Sequence, residues 1–309
     1  MKKLLFIFSL LCTAQFVSAQ DEVIFSHYQF NPSLINPAAS GFYDVHQLNF
    51  NYRDSWTGFE GSPRTLGFNY NGPVGKVFGF GAGLRTENAA SLSRYRINLN
   101  FAFKYQMEKL RVAGGFSTEI QQMRLDNGIM ARPSLIDIND PIVSDYMDGQ
   151  MFFDANFGLF AEYNNATFIG LSFPNLILAK LDDIGGAGTE GSRLLQYYMF
   201  HFGHKFIANE TFTLTPSMLI KSVRNVGFNV DFNLRGDFLD EKLSAGVSYR
   251  TGLGPSLGLM LGTKISALRL FYSYDVYLDE FQQYNTGSHE ITLSFEFDTR
   301  NRDRAAKFR

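Results

Sequence analysis

Cysteine is almost absent from this chain, and the one cysteine, Cys12, lies near its start. Residues 1–19 contain two lysines, then an apolar run, then small residues of the kind found at a cleavage site. This order is typical of a secretory signal peptide. Leu11 stands before Cys12, where a lipoprotein would need a small residue. We therefore predict a cleaved signal peptide over residues 1–19 and a mature chain without disulfides, thiolate metal sites or cysteine catalysis.

A strong charge of one sign is also lacking. The chain has 28 Lys and Arg against 30 Asp and Glu, a balance that gives no case for a nucleic-acid partner. After the leader, no apolar run approaches the ~18 residues that a membrane helix needs. Yet Phe, Tyr and Gly are abundant and proline is scarce, with 32, 15, 28 and 9 residues. Transmembrane β-barrels escape hydropathy scans in this way, because each strand has an apolar outer face and a polar inner face.

Alternation of polar and apolar residues is the strongest signal in the chain. From Arg94 to Tyr105, aromatic and aliphatic side chains fall on one face, and charged or amide side chains fall mostly on the other. Such sustained alternation is typical of a strand with one apolar face. The same pattern recurs at 153–163, 243–250, 268–276 and 291–297.

Fourteen segments of this kind can be counted, an even number as in bacterial single-chain barrels. A soluble β-sandwich also alternates, but its strands centre near 5–6 residues, whereas the longer segments here reach the ~9–12 residues of a tilted transmembrane strand. We therefore predict an all-β fold, a transmembrane antiparallel β-barrel of about 14 strands with a short irregular N-terminal segment. The predicted strands are 47–53, 64–71, 78–86, 94–105, 109–121, 152–163, 165–173, 194–206, 211–223, 226–235, 242–251, 255–264, 267–276 and 288–298.

The links between these strands support the barrel. Every second link is a short turn, and the three longest links, 122–151, 174–193 and 277–287, all belong to the other set. Outer-membrane barrels place their short turns in the periplasm and their long loops outside. The chain therefore divides into a signal peptide (1–19), an irregular N-terminal segment and candidate plug (20–46), an outer-membrane barrel (47–298) and a basic C-terminal tail (299–309).

Two Asn-Pro pairs, Asn31-Pro32 and Asn36-Pro37, mark the irregular segment. Proline lacks an N–H and biases the residue before it away from the helical region, so each pair specifies an extended, turning path. A fourteen-stranded barrel encloses more space than side chains alone fill. We expect the segment to pack under or inside the barrel without joining its wall.

Charged residues recur on the polar faces of the predicted strands. A Lys or Arg that faced lipid at mid-depth would cost about 2–4 kcal/mol, so these side chains must face the lumen. Two interpretations remain open: a network of ion pairs that holds a closed barrel, or a polar lining for a translocated solute. The predicted luminal charges are Arg94, Arg96, Lys104, Asp154, Glu162, Asp231, Arg235, Arg250, Arg269, Asp275 and Glu296.

Motifs of catalytic chemistry are missing. The sequence contains no HExxH, nucleophile elbow or phosphate loop. His201 and His204 are an odd number of residues apart on one strand and so face opposite sides. Ser288 and His289 are residue types that a barrel lipase would use, but adjacent residues of a strand point to opposite faces. We expect a protein that is not an enzyme and uses no cofactor or metal.

The stretches "FNPSLINPAASGFYD", "NYRDSWTGFEGSPRTLGFNYNGPV", "FIGLSFPNL", "FYSYDVYL" and "GSHEITLSFEF" together resemble the PorP/SprF family of the type IX secretion system of Bacteroidetes. The resemblance implies an outer-membrane barrel that is not an enzyme and that serves protein export and, in gliding species, the delivery of surface adhesins. It also implies partners: outer-membrane lipid, secretion-system components, a peptidoglycan-binding periplasmic lipoprotein and a secreted adhesin client.

Two functions follow from these observations. The first is a secretion-associated barrel that docks periplasmic machinery, a secreted client, or both; the second is a channel for small or amphipathic solutes. Trp56, the only tryptophan, is either an interfacial anchor or a partner contact, and the basic tail is either a frayed terminus or a contact for an acidic partner. The candidate partner-binding or plug residues are Asn31, Pro32, Asn36, Pro37, Arg53, Trp56 and Gly58.

Overall fold

The computed structural model describes residues 25–126, 141–181, 197–209, 211–223, 227–252 and 254–297. These residues form a closed antiparallel β-barrel of fourteen wall strands, as the alternation predicts. The predicted signal peptide and basic tail, and parts of the two longest loops, lie outside the described residues. In the part of the chain that is described, no helix has the length and apolar character needed to span a membrane.

Sixteen strand segments build the barrel. One wall strand consists of two segments, β9 and β10, because it is interrupted at Lys205; the two-residue β8 pairs with β6 beside the wall. The segments are β1 (His46–Asp54), β2 (Arg64–Val74), β3 (Phe78–Ala89), β4 (Leu92–Met107), β5 (Leu110–Leu125), β6 (Gln150–Tyr163), β7 (Thr167–Phe173), β8 (Ala179–Lys180), β9 (Tyr198–His204), β10 (Phe206–Asn209), β11 (Phe212–Val223), β12 (Gly227–Phe238), β13 (Leu243–Arg250), β14 (Ser256–Ile265), β15 (Leu268–Tyr277) and β16 (Ser288–Phe297).

Among the described residues, helical structure is confined to short pieces. The helix α1 (Pro141–Asp148) precedes β6, and a 3-10 turn (Glu280–Tyr284) lies between β15 and β16. Three more 3-10 turns, Ser26–Gln29, Pro32–Leu34 and Pro37–Ala39, precede β1.

Pairing of the last strand with the first closes the barrel. His46 lies opposite Phe297 and Asp54 lies opposite His289, so β1 and β16 pair along the whole of β1. On the far side, β9 bridges β7 and β11. Among the described wall segments, each pairs with at least two neighbours except the short β10, which pairs with β11 alone. A membrane-spanning sheet requires such closure because lipid cannot satisfy backbone N–H and C=O groups.

The alternation places apolar side chains outside and polar ones inside. On β4, Ile97 and Phe103 are exposed on the outer face, while Arg96, Asn100 and Lys104 are buried on the inner face. A soluble protein would bury the opposite set. The outer surface is therefore the lipid-facing one, and the polar core lies in the lumen.

The two ends of the barrel differ. At one end, called here the turn end, neighbouring strands are joined by tight turns, as between β4 and β5 or between β14 and β15. At the other end, called the loop end, lie the long connections from β5 to β6 and from β7 to β9. Outer-membrane barrels have short periplasmic turns, so we expect the turn end to face the periplasm.

Strand bounds depart from the sequence prediction mainly around β9. A single strand over 194–206 was expected, but β9 begins at Tyr198, the wall strand breaks at Lys205, and β10 continues over residues assigned to a turn. The pairing of β10 with β11 shifts register between Ile207 and Asn209. Irregular pairing of this kind disrupts the period-2 pattern on which the prediction depends.

Candidate functional site

The N-terminal residues 25–45, called here the luminal segment, lie inside the barrel. Tyr28, Ala38 and Phe42 are at most 1% exposed. The segment contacts inward-facing side chains on opposite sides of the wall, from Glu290 on β16 to Ser172 on β7. A chain can reach both sides only from within, so the segment occupies the lumen.

The first Asn-Pro pair caps a turn. The side-chain oxygen of Asn31 accepts hydrogen bonds from the backbone N–H of Ser33 at 3.3 Å and from its hydroxyl at 2.6 Å, just where the 3-10 turn Pro32–Leu34 begins. Proline suits the first position of a helical turn because its missing N–H would be unpaired there anyway. The Asn31 amide also donates to Asn69 on β2 at 2.9 Å, which ties the turn to the wall.

The second pair, Asn36-Pro37, caps a turn in the same way on the other side of the lumen. The Asn36 side chain accepts from the Ala38 N–H at 3.0 Å and caps the turn Pro37–Ala39. Its amide donates to the backbone carbonyls of Leu159 on β6, at 2.9 Å, and Leu171 on β7, at 3.3 Å. Each Asn-Pro pair therefore shapes a turn and attaches it to the wall.

A buried ion-pair cluster lies in the lumen near the loop end. Arg53 on β1 donates to Asp275 on β15 at 2.7 Å and to Glu290 on β16 at 2.9 Å. Arg250 on β13 lies 3.2 Å from Asp275 and 3.3 Å from Asp231 on β12. The two arginines share three carboxylates, Asp231, Asp275 and Glu290, so the cluster links five wall strands: β12, β13, β15, β16 and β1.

The luminal segment completes this cluster. The Glu290 carboxylate accepts hydrogen bonds from the backbone N–H groups of Ser26, at 2.8 Å, and His27, at 3.0 Å. The Ser26 hydroxyl accepts from Arg53 at 2.9 Å and from Arg250 at 2.8 Å. Since buried charges need such partners, the start of the segment and the cluster stabilise each other.

Cations also hold the rest of the luminal segment. Lys104 on β4 donates to the Gly41 carbonyl at 2.6 Å and pairs with Asp44. Arg111 on β5 donates to the Phe42 carbonyl at 2.8 Å. Arg235 on β12 donates to the Gln29 carbonyl at 2.9 Å and lies 4.7 Å from the Phe30 ring centroid.

Inward-facing glycines let the segment lie directly on the wall. A Cβ atom at Gly115 on β5 would lie 2.6 Å from the N and Cα atoms of Ala38. Added Cβ atoms at Gly79 on β3 and Gly158 on β6 would overlap Ser40 and Asn36. Because these neighbours include backbone atoms, they cannot move aside cheaply, and the track of glycines fixes where the segment sits.

Replacing Gly115 with alanine is expected to lower the free energy of unfolding by about 1–3 kcal/mol, because the new methyl group would push the Pro37–Ala39 turn off the wall. The matched control is Gly114→Ala on the outer face, where the added Cβ meets only a Leu159 methyl carbon at 3.7 Å. The control should be neutral or stabilising by up to about 1 kcal/mol. Urea unfolding followed by Trp56 fluorescence measures both, and equal effects would contradict the glycine track.

The remaining predicted luminal charges pair within the wall. Each has an oppositely charged partner or a set of backbone donors, and so these residues form a network across the described part of the lumen. Arg94 pairs with Glu87 at 3.7 Å, Arg96 with Glu119 at 3.5 Å, Glu162 with Lys205 at 3.6 Å and Arg269 with Glu296 at 2.9 Å, while Asp154 accepts from the N–H groups of Ala155, Ile177 and Leu178.

Glu241 extends this network into a turn at the turn end. Burial raises its pKa, but the guanidinium of Arg269, 2.9 Å away, and the ammonium of Lys264 outweigh burial and hold the pKa below its ordinary value. A carboxyl with a lowered pKa stabilises the fold above its unfolded pKa and loses that contribution as the pH falls through the folded pKa. The carboxylate is half exposed, so the contribution is small.

Trp56 and Gly58 lie in the β1–β2 loop, at the loop end. The Trp56 N–H donates to the Ser288 hydroxyl at 3.0 Å, and its ring lies 6.2 Å from that of Tyr277, whose side chain is buried in the lumen. Thr57 exchanges backbone hydrogen bonds with the β15–β16 loop, accepting from Thr286 at 2.6 Å and donating to Gly287 at 2.8 Å. The two loops form one clasp over the loop end, with Gly58 at φ +102° in its turn.

Sequence reasoning did not single out Glu290 or the inward glycines. Glu290 falls on the same face as Thr292 and Glu296, so extending the alternation by one more inward position finds it. The glycines gave no such signal, because a residue without a side chain marks neither face.

The barrel thus has a polar lumen that its own N-terminal segment occupies. The profile of the family described as "Type IX secretion system membrane protein PorP/SprF" matches residues 17–295. The chain belongs to the PorP/SprF family. This PorP/SprF protein is therefore an outer-membrane barrel associated with type IX secretion. Among curated proteins, none matches it.

Solved structures show the same fold at low identity. The toluene transporter TodX of Pseudomonas putida is 11% identical, with a TM-score of 0.52 over 86% of this chain and 93% of TodX. The monoaromatic hydrocarbon channel CymD is 12% identical, with a TM-score of 0.50 over 88% of this chain and 92% of CymD. At these identities the likeness of the PorP/SprF protein to both concerns the fold alone.

Proposed function

We propose that this PorP/SprF protein acts by docking partners at the outer membrane and not by catalysis. The observation that carries the proposal is the filled lumen: the luminal segment is tied to the wall near both ends, by Glu290 near the loop end and by Lys104 near the turn end. A barrel whose interior is occupied in this way presents its two ends to partners, and its fixed loops and turns become contact surfaces.

The partners fall into two groups by membrane side. At the turn end, a peptidoglycan-binding lipoprotein and other secretion components would meet charged turns such as that of Glu241. At the loop end, a secreted or surface adhesin, as in gliding species, would meet the clasp of Trp56 and Thr57. The proposed site of action is the outer membrane of a Gram-negative bacterium, after removal of the signal peptide. No nucleic acid or cofactor takes part.

A pull-down tests the docking role. The tagged full-length protein is extracted from its native outer membrane in mild detergent, and co-purifying proteins are identified by mass spectrometry. We expect secretion-system components, a peptidoglycan-binding lipoprotein or a large adhesin. A folded barrel that co-purifies with none of these, under conditions that keep other membrane complexes intact, would contradict the proposal.

A matched pair of variants tests at which end of the barrel each partner binds. Trp56→Ala removes an aromatic ring from the clasp, whereas Tyr95→Ala removes an aromatic ring from the exposed outer face of β4. We expect Trp56→Ala to lose the loop-end partner and keep the turn-end partners, and Tyr95→Ala to keep both. Equal recovery with both variants would exclude the clasp as a contact.

The second candidate is a channel for small or amphipathic solutes. It is favoured by a cavity of about 130 Å³ that remains beside the luminal segment, and by the fold shared with TodX and CymD, whose names describe a toluene transporter and a hydrocarbon channel. Measurable conductance or uptake by the unaltered protein would support it over docking.

A further inference from the structure

The cavity beside the luminal segment has a lining unlike the rest of the lumen. We call it the vestibule and define it by Phe25, Arg85, Arg96, Asn98, Glu119 and Asn175, which border it together with residues 33–37 of the luminal segment and other residues of β2 to β7 and β9. Arg85 and Arg96 lie opposite each other near the loop ends of β3 and β4, and Asn175 follows the loop end of β7. The vestibule therefore lies in the loop-end half of the lumen, above the turns that the Asn-Pro pairs form.

Two inward glycines make room for side chains that line the vestibule. A Cβ at Gly67 would lie 2.9 Å from the Phe25 ring, and one at Gly83 would overlap the Asn98 amide. Gly67 and Gly83 therefore let Phe25 and Asn98 lie directly against β2 and β3, at the edge of the cavity. Its volume of about 130 Å³ is close to that of an engineered ~150 Å³ cavity that binds benzene, so it is large enough for a small ligand.

The chemistry of the lining suits a ligand that both donates and accepts hydrogen bonds. The side-chain NH₂ group of Asn98 donates to the side-chain oxygen of Asn100 at 2.9 Å. The side-chain oxygen of Asn98 and the whole side-chain amide of Asn175 have no hydrogen bond among the described residues. Arg96 and Glu119 pair at 3.5 Å, so their charges largely compensate. Phe25 adds an aromatic surface at one side. A hydroxyl group serves as donor and acceptor at once, which matches such a set of amides.

We propose that the vestibule binds one hexose-sized saccharide from the loop end of the barrel. Its ring occupies the cavity beside Phe25, and its hydroxyls pair with the amides of Asn98 and Asn175. The source is either a free saccharide or the sugar headgroup of a surface lipid, since both present the same hydroxyls. The inference is independent of the docking role, because the amides face the lumen and not the clasp.

Saturation-transfer NMR on the purified full-length protein tests the inference. The detergent must lack a sugar headgroup, such as a dodecyl amine oxide, because a maltoside would compete. The probes are glucose, galactose, N-acetylglucosamine, glucuronate and the core oligosaccharide released from the organism's own lipopolysaccharide. We expect saturable binding of at least one probe; preference for the core oligosaccharide would identify the lipid headgroup as the source, and preference for a simple sugar the free saccharide.

Two variants locate the binding. Asn98→Ala and Asn175→Gly, the latter chosen because Asn175 has φ +55°, should each weaken binding by about tenfold, the effect of one lost hydrogen bond. The matched control Asn164→Gly also replaces an asparagine of positive φ, but in a turn at the turn end, and should not change binding. Failure of every probe to bind, binding that both vestibule variants leave unchanged, or binding of a polar tripeptide in place of the sugars would overturn the proposal.

Discussion

Replacing Arg53 with alanine is expected to lower the free energy of unfolding by about 3–5 kcal/mol, the range for removing one partner from a buried ion pair. Arg53 is 3% exposed and holds Asp275 at 2.7 Å and Glu290 at 2.9 Å. Without it, Glu290 loses a guanidinium 2.9 Å away and keeps the backbone N–H groups of Ser26 and His27 and the His27 Nδ1 atom, which is 3.1 Å away. Urea unfolding of the barrel from phospholipid vesicles, followed by Trp56 fluorescence, measures the loss.

Two further variants test whether the loss of stability comes from the buried ion pair and not from the removal of any arginine. Arg64→Ala removes a guanidinium that is 65% exposed and 3.5 Å from Asp54, so it should change the free energy by less than about 1 kcal/mol. The double variant Arg53→Ala, Glu290→Gln should recover part of the stability, because no carboxylate is then left uncompensated at that site. A loss in Arg53→Ala no larger than in Arg64→Ala would show that the cluster does not stabilise the barrel.

Deleting residues 20–44 is expected to convert a closed barrel into a conducting one. The luminal segment fills the space between strands on opposite sides of the wall, and a fourteen-stranded lumen that has lost it is wider than side chains alone can fill. Single-channel recording in planar bilayers should show a conductance at least about tenfold above that of the unaltered protein.

The deletion needs a folding control, because the segment also pairs with Glu290 and Lys104. Heat-modifiable migration on gels shows whether the shortened barrel is folded. If it is not, Gly115→Ala displaces one turn of the segment within a full chain and should give intermediate conductance, while Gly114→Ala should give none. Conductance of the unaltered protein equal to that of the deletion would contradict a closed lumen and favour the channel.

The wall could be predicted from sequence because its signal is local. Arg96 and Lys104 alternate with lipid-facing neighbours along one strand, so period-2 counting assigns their faces without knowledge of any other strand. The pairing of those charges is not local. Arg53 meets Glu290 across 237 residues, and that meeting depends on how the last strand registers against the first when the barrel closes.

The path of the luminal segment could be predicted only in part. The Asn-Pro pairs indicate turns from sequence alone, and the structure contains a capped turn at each. The carbonyls that Asn36 reaches lie on strands more than 100 residues away, and the glycines that the chain lies against are spread over β3, β5 and β6. Two glycines side by side, Gly114 and Gly115, look alike in the sequence, yet only one faces the segment.

An engineered disulfide between the luminal segment and the wall tests the central claim most directly. A Cβ at Gly81 on β3 would lie 3.0 Å from the Ser40 hydroxyl oxygen, close to the separation of a Cβ and the far sulfur across an S–S bond of ~2.05 Å. The mature chain has no other cysteine if the signal peptide is removed. The control pair is Ser40→Cys with Ala82→Cys, since Ala82 follows Gly81 and points to the outer face.

We expect Ser40→Cys with Gly81→Cys to form an intramolecular disulfide in the native outer membrane, seen as protection from maleimide labelling after denaturation and as a linked peptide by mass spectrometry. The control pair should remain reduced. Two free, labelled cysteines in the Ser40–Gly81 pair of a folded barrel would show that residues 25–45 do not occupy the lumen, and would contradict the account.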